Sequence, residues 1–181
     1  MRETTVKSPA KFALQYGALF GIIMILEFVI LYVADVDPIT NPSVGIIMNV
    51  FNFLVIPVVL IVVACIGFKK LNGGYITFSE CLKVGVTLCL IGALISSIFT
   101  AIWNMLFPEY VATIARKTRA FMVEKFPEMP AEQIDAAIEM NEKFMNPALM
   151  IPVALLMYCL IGLIYSLIIG AIVKKDPATS F

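Results

Sequence analysis

One carboxyl group, Glu27, stands alone inside a long apolar run, and it is the residue from which any chemistry in this chain would start. An ionised side chain in hydrocarbon is costly, so an acid at such a position must be neutral, hydrogen-bonded or matched by a cation. Glu27 lies seven residues before Ala34, about 10 Å below the end of its run at 1.5 Å per residue. The next run starts from the same surface and brings Asn49 and Asn52 to a comparable depth. On the third run Ser97, Thr100 and Asn104 fall at i, i+3 and i+7, which is one helix face. Glu27, Asn49, Asn52, Ser97 and Thr100 are therefore expected to share one polar cluster in the outer half of a membrane. Two chemistries fit such a cluster. The amides and hydroxyls can be interhelical glue around a hydrogen-bonded acid, or Glu27 can be the proton or cation site of a small transporter.

Other chemistries have no residues to carry them. The chain has no histidine, the commonest metal ligand and general base. It shows no metal-ligand spacing, no phosphate-binding glycine loop and no nucleophile motif. Asp35, Asp37 and Glu109, close to the outer surface, are the only carboxylates that could handle a lipid-linked substrate, and nothing beside them supports that. No catalytic residue, cofactor or metal is expected, and the chain does not read as an enzyme. Cys65, Cys81, Cys89 and Cys159 form no CxxC pair and read as reduced, small apolar residues within or beside helices. A formal net charge of zero gives no reason to expect nucleic acid.

The elements that would position these groups follow from composition. Of the 181 residues 61% are hydrophobic and only 14% charged, with a mean hydropathy of +0.96. Soluble domains average about 45–50% apolar and about 25% charged, so this chain has too little polar surface to coat a water-soluble globule. Four apolar runs, 12–34, 44–68, 82–107 and 147–173, each exceed the roughly 20 residues that cross a bilayer. The expected fold is an all-α membrane protein, one integral domain over 1–181, with a polar cap at 108–146. The first run is longer than the roughly 7–15 residues of a signal-peptide core and reads as a retained helix. Pro57 reads as the sole mid-span proline, and no internal repeat is visible.

Basic residues set the direction. Arg2, Lys7, Lys11, Lys69, Lys70, Lys83, Lys174 and Lys175 fall on one side, with only Glu3, Glu80 and Asp176 as acids. On the other side the five basic residues, all in the cap, meet nine acids, Asp35, Asp37 and seven in the cap. Both termini and the 69–81 loop are thus expected in the cytoplasm.

The two longer connections have structure of their own. Asn72-Gly73-Gly74 is a turn signal, and Thr77-x-x-Glu80 fits a capping box that starts the third helix. In the cap, Tyr110, Ile114, Phe121, Met122 and Phe126, then Ile134, Ile138 and Met145, approximate a helical period on either side of Pro127 and Pro130. An extracytoplasmic helical hairpin is expected, its apolar stripes packing on each other, on lipid or on a partner. Gly17-x-x-x-Gly21, Gly92-x-x-x-Ser96 and Gly162-x-x-x-Ser166-x-x-x-Gly170 permit close helix approach within the bundle, in a dimer or against a partner.

The stretch Gly73-Gly74-Tyr75-Ile76-Thr77-Phe78-Ser79-Glu80-Cys81-Leu82-Lys83-Val84-Gly85 carries a resemblance. So do Ile98-Phe99-Thr100, Pro108-Glu109-Tyr110, Glu132-Gln133-Ile134 and Lys143-Phe144-Met145-Asn146-Pro147. Together they resemble the small bacterial membrane proteins catalogued as domain of unknown function 4199, common in Bacteroidota. The resemblance covers nearly the whole chain. It implies a four-helix protein of the bacterial inner membrane with a helical outer loop, and it brings no catalytic residue with it. Members of that family look to be encoded beside a family 2 glycosyltransferase. The expected function is a non-catalytic accessory or scaffold subunit of an inner-membrane complex, with a glycosyltransferase or an envelope assembly as partner. The alternative is a small proton- or cation-coupled transporter that uses Glu27.

Overall fold

Most of the helices begin where a cap or a proline can satisfy or remove the free N–H groups of a first turn. In a computed structural model, which describes residues 8–176, the chain forms seven α-helices. They are α1 (Pro9–Val33), α2 (Pro42–Val50), α3 (Ile56–Leu71), α4 (Phe78–Leu106), α5 (Pro108–Lys125), α6 (Ala131–Met145) and α7 (Pro147–Val173). Ser8 caps α1, accepting from the Lys11 N–H, and Asn146 caps α7, accepting from the Ala148 N–H. The capping box of α4 is present: Thr77 Oγ1 accepts from the Glu80 N–H, and a Glu80 carboxylate oxygen accepts from the Thr77 N–H at 2.7 Å. Among the described residues there is no strand, only an isolated antiparallel bridge between Ile76 and Lys175.

Four helical stretches are long and apolar enough to cross a membrane: Pro9–Val33, Pro42–Leu71, Phe78–Leu106 and Pro147–Val173. Only 17–39% of their most apolar windows is buried within the protein. The chain is a membrane protein with transmembrane helices. The first three begin two to four residues earlier than the apolar runs alone suggest, because Pro9, Pro42 and the Thr77 cap start each helix in a more polar first turn, and the second ends three residues later, carrying Lys69 and Lys70 in its last turn. Residues Arg2, Glu3 and Lys7, used above to orient the chain, lie outside the described residues.

α4 is the central helix, with α1 and α7 packed along it and α3 closing the remaining side. Where the small-residue ridges lie, the helices touch through backbone. A Cβ added to Gly17 would stand 2.8 Å from the Leu88 carbonyl, and one on Gly162 would stand 2.9 Å from the Gly85 carbonyl. Gly21 faces Ile95, Gly92 receives the Phe20 ring, Ser166 abuts Gly85, and Gly170 faces Cys81 and Phe78. All three predicted ridges are thus used inside the bundle. Cys65, Cys81 and Cys89 are buried in this packing, Cys159 is half-buried, and all four are free thiols.

Two spans rather than one contain an internal proline. Pro152 also lies inside a helix, in the second turn of α7, so Pro57 is not alone. At Pro57 the missing N–H and the ring's clash with the carbonyl four residues back prevent a regular turn. The chain answers with a π-helical segment, Phe51–Val55, closed by the Ile56 N–H bonding five residues back to the Phe51 carbonyl. The Phe53 carbonyl, whose α-helical partner would have been the nitrogen of Pro57, accepts instead from the Tyr165 hydroxyl of α7 at 2.8 Å.

The two ends of the bundle are tied differently. At the end bearing the described termini, Gly73 and Gly74 take φ of 68° and 89°. The turn they make lets Ile76 pair with Lys175, Lys69 Nζ donate to the Val173 carbonyl at 2.7 Å, and the Lys175 ammonium sit over the Tyr75 ring. At the other end α5 and α6 pack on each other, burying Ile134 and pairing Arg119 with Asp135 at 2.9 Å. That mutual packing is partial: Val123, Phe126, Met140 and Phe144 remain exposed.

Candidate functional site

Glu27 and Asn52 meet. The Asn52 side-chain N–H donates to a Glu27 carboxyl oxygen at 2.7 Å, joining α1 to the π-helical segment. The wide turn made by Pro57 therefore sits at the polar contact itself. A π-bulge at such a place is a recurrent feature of functional sites. Around the pair is a chamber of about 340 Å³, walled by Ser96, Ser97 and Thr100 of α4 and by Met24, Phe28, Phe53, Met150 and Tyr158. At about 30 Å³ per molecule in the liquid, that space holds several waters.

Four of the five predicted residues, Glu27, Asn52, Ser97 and Thr100, line this chamber. Asn49 does not; it is exposed on α2, three residues before Asn52 and about 60° round the helix from it. The hydroxyls are partly occupied by their own helix, Thr100 donating to the Ser96 carbonyl at 3.0 Å and Ser96 to the Ala93 carbonyl at 3.1 Å. Ser96 was singled out for its small size, and its place in the chamber wall is an additional role. Among the described residues no lysine or arginine pairs with Glu27. The other Asn52 amide atom, Oδ1, is buried without a partner. A buried polar atom left unpaired costs about 1–3 kcal/mol. One amide therefore offers the carboxyl both a donor, already used, and an acceptor that a protonated Glu27 could fill.

Above the chamber, towards α5, lies an aromatic cluster that sequence reading passed over. Phe28 and Tyr32 of α1 stack edge-to-face on Trp103 at 5.2 and 4.9 Å, and Phe99 and Tyr110 complete the group. The i, i+4 spacing of Phe28 and Tyr32, repeated in Phe99 and Trp103, was its sequence signal. On the same turn of α4 as Trp103, both side-chain polar atoms of Asn104 are buried and unpartnered. Beyond the cluster the α1–α2 connection is fastened to α5 by an ion pair, Lys117 Nζ to Asp37 at 2.7 Å. Burial would raise the Asp37 carboxyl, but Lys117 and the Ile39 N–H more than offset it and hold that carboxyl below its ordinary value. The same contact with Asp37 holds the Lys117 ammonium above its ordinary value. Among the described residues no group of three or more Cys, Asp or Glu side chains is placed to hold a metal ion.

No curated protein and no solved structure matches the chain. Residues 15–175, almost its full length, match the family model described as Protein of unknown function (DUF4199), and the chain belongs to that family.

Proposed function

We propose that the protein is a small proton- or cation-coupled membrane transporter whose binding group is Glu27. One observation carries this reading: the only carboxyl deep in a span hydrogen-bonds to an asparagine at a π-helical break, beside a chamber with room for water. A π-helical segment inside a helix is a recurrent mark of functional sites, and no cation of the described chain neutralises the acid. The chamber lies towards the α5–α6 end. The clustering of Lys69, Lys70, Lys83, Lys174 and Lys175 at the opposite end supports cytoplasmic termini in a bacterial inner membrane, with the cap outside. In liposomes carrying an internal pH dye, an imposed proton or sodium gradient should dissipate faster than in empty vesicles. Glu27→Gln should abolish the difference while leaving the thermal unfolding midpoint within a few degrees. Equal flux in protein-containing and empty vesicles, or flux indifferent to Glu27→Gln, refutes the proposal.

A second reading, an accessory or scaffold subunit for a glycosyltransferase or envelope assembly, is favoured by the exposed Val123, Phe126, Met140 and Phe144 on the cap. Such residues are where a partner helix would dock. Purification from the native host in mild detergent should then yield a stoichiometric companion that Phe126→Ser with Phe144→Ser releases. Elution of the chain alone counts against it.

A further inference from the structure

We propose that the cavity between the end of α1 and α5 holds the headgroup of a phospholipid bearing a primary ammonium, of the ethanolamine type. The cavity measures about 540 Å³, within the roughly 300–1,000 Å³ of small-molecule sites. Its wall is divided by charge. Asp35 and Glu109 contribute carboxylates that, among the described residues, make no ion pair, and Lys117 contributes an ammonium. Lys117 gives one contact to Asp37 and remains 40% exposed, so donors are left for a phosphate oxygen. Tyr32 and Tyr110 also line the cavity, and aromatic rings attract a cation.

Two carboxylates without an ion pair, and an ammonium that keeps donors beyond its bond to Asp37, complement a zwitterion with a cationic tip and an anionic root. An anionic headgroup would meet Asp35 and Glu109 with like charge. A quaternary ammonium would gain from the rings but could donate no hydrogen bond to the carboxylates. The surroundings select a lipid over a free amine. The cavity sits where a span leaves the hydrocarbon, and Ile30 and Val33, exposed at 63% and 77%, run down α1 beneath it as an apolar path for acyl chains. Asp35 is held at the rim by its backbone, with φ of 51°. The inference does not rest on Glu27, and its test leaves Glu27 intact.

The test is native mass spectrometry of the full chain released from nanodiscs made with equal parts phosphatidylethanolamine, phosphatidylglycerol and phosphatidylcholine. The wild type should retain phosphatidylethanolamine about fivefold over either competitor, the scale of two exposed charge contacts acting together. Asp35→Asn with Glu109→Gln should abolish that preference. Leu19→Ala, a lipid-facing change in the opposite half of α1, should retain it and so controls for general loosening. Equal retention of all three lipids by the wild type, or an undiminished preference in the double variant, overturns the proposal. Displacement by millimolar O-phosphoethanolamine, added in detergent, would assign the cavity to a soluble amine and overturn the lipid reading.

Discussion

The Tyr165 hydroxyl bonds a carbonyl that Pro57 has deprived of its helical partner, so the two residues should be energetically coupled although they share no side-chain contact chemistry. Tyr165→Phe removes the donor and leaves the Phe53 carbonyl unpaired in a lipid-facing setting. Interhelical hydrogen bonds in membranes average about 0.6 kcal/mol and reach about 1.7, and an orphaned acceptor adds to the loss. A cost of about 1–1.5 kcal/mol is expected. Pro57→Ala restores an N–H that can reach back to Phe53, at the expense of a cavity where the fully buried ring had been. In that background Tyr165→Phe should cost only a few tenths of a kcal/mol. The cycle thus has a coupling energy of about 1 kcal/mol, which is about 2–4 °C in midpoint for a chain of this size. Graded SDS denaturation in mixed micelles, followed by circular dichroism, measures all four corners. A coupling within the about 0.3–0.5 kcal/mol scatter of independent sites would show that the carbonyl is satisfied elsewhere and that the π-helical segment does not arise as argued.

Three further outcomes follow from the packing and the cap. Gly162→Ala should destabilise by about 1–3 kcal/mol, because its Cβ meets the Gly85 carbonyl and Val86 Cα, whereas Gly67→Ala meets only the tips of Phe12 and Tyr16 and should be neutral or stabilising; thermal melts in detergent distinguish them. Thr77→Ala should cost about 1 kcal/mol by removing the α4 capping box, read as faster amide exchange over residues 77–81. The Asp37 carboxyl is lowered on folding, so its contribution is complete above about pH 4 and is lost as pH falls through the folded value; Lys117 is raised, so its share is lost only above about pH 10.4. Protection of the amides in residues 36–41, corrected for the intrinsic pH dependence of exchange, should therefore fall as pH drops below about 4, and Lys117→Met should weaken that dependence.

What could be read from the sequence is what hydrocarbon or local geometry dictates. The four spans are visible because a bilayer demands a minimum apolar length, and the α4 cap because its partners are three residues apart. The glycine ridges are visible because i, i+4 spacing makes a face whatever the neighbour is. Contacts between distant segments were not visible. Tyr165 and Phe53 are 112 residues apart, and nothing in either marks the other. Pro57 could be seen, but not that the turn before it would widen and aim Asn52, rather than Asn49, at Glu27. The aromatic cluster was spaced on two helices whose facing could not be known in advance. Lys117 looked like one charge among the many of an acidic cap until α5 brought it to Asp37.

The distribution of buried residues argues for one last asymmetry. In α1 they are Ala13, Gly17, Phe20 and Gly21, and in α7 Tyr158, Gly162, Ser166, Ile169 and Gly170; all but Tyr158, which walls the chamber, lie in the half near the described termini. Neither α2 nor the π-helical segment buries a residue, and the first eleven residues of α7 bury none. The bundle is thus sealed at one end by backbone contacts without slack and loosely packed at the other, where Glu27 and Asn52 sit. If the transporter proposal holds, a solute would enter the chamber from the α5–α6 end, past the aromatic cluster. Ser97→Cys, placed in a background lacking the four native cysteines, should react with a membrane-impermeant thiol reagent added on the cap side and stay protected from the other. A carrier must also populate the reverse state, so an opposing ion gradient should bring measurable labelling from the terminal side, and Gly162→Leu, which jams the α4–α7 contact, should change that response. Labelling of the resting protein from the terminal side alone would mean that the glycine-packed half is the open one, and the assignment of Glu27 to a cap-facing chamber would fail with it.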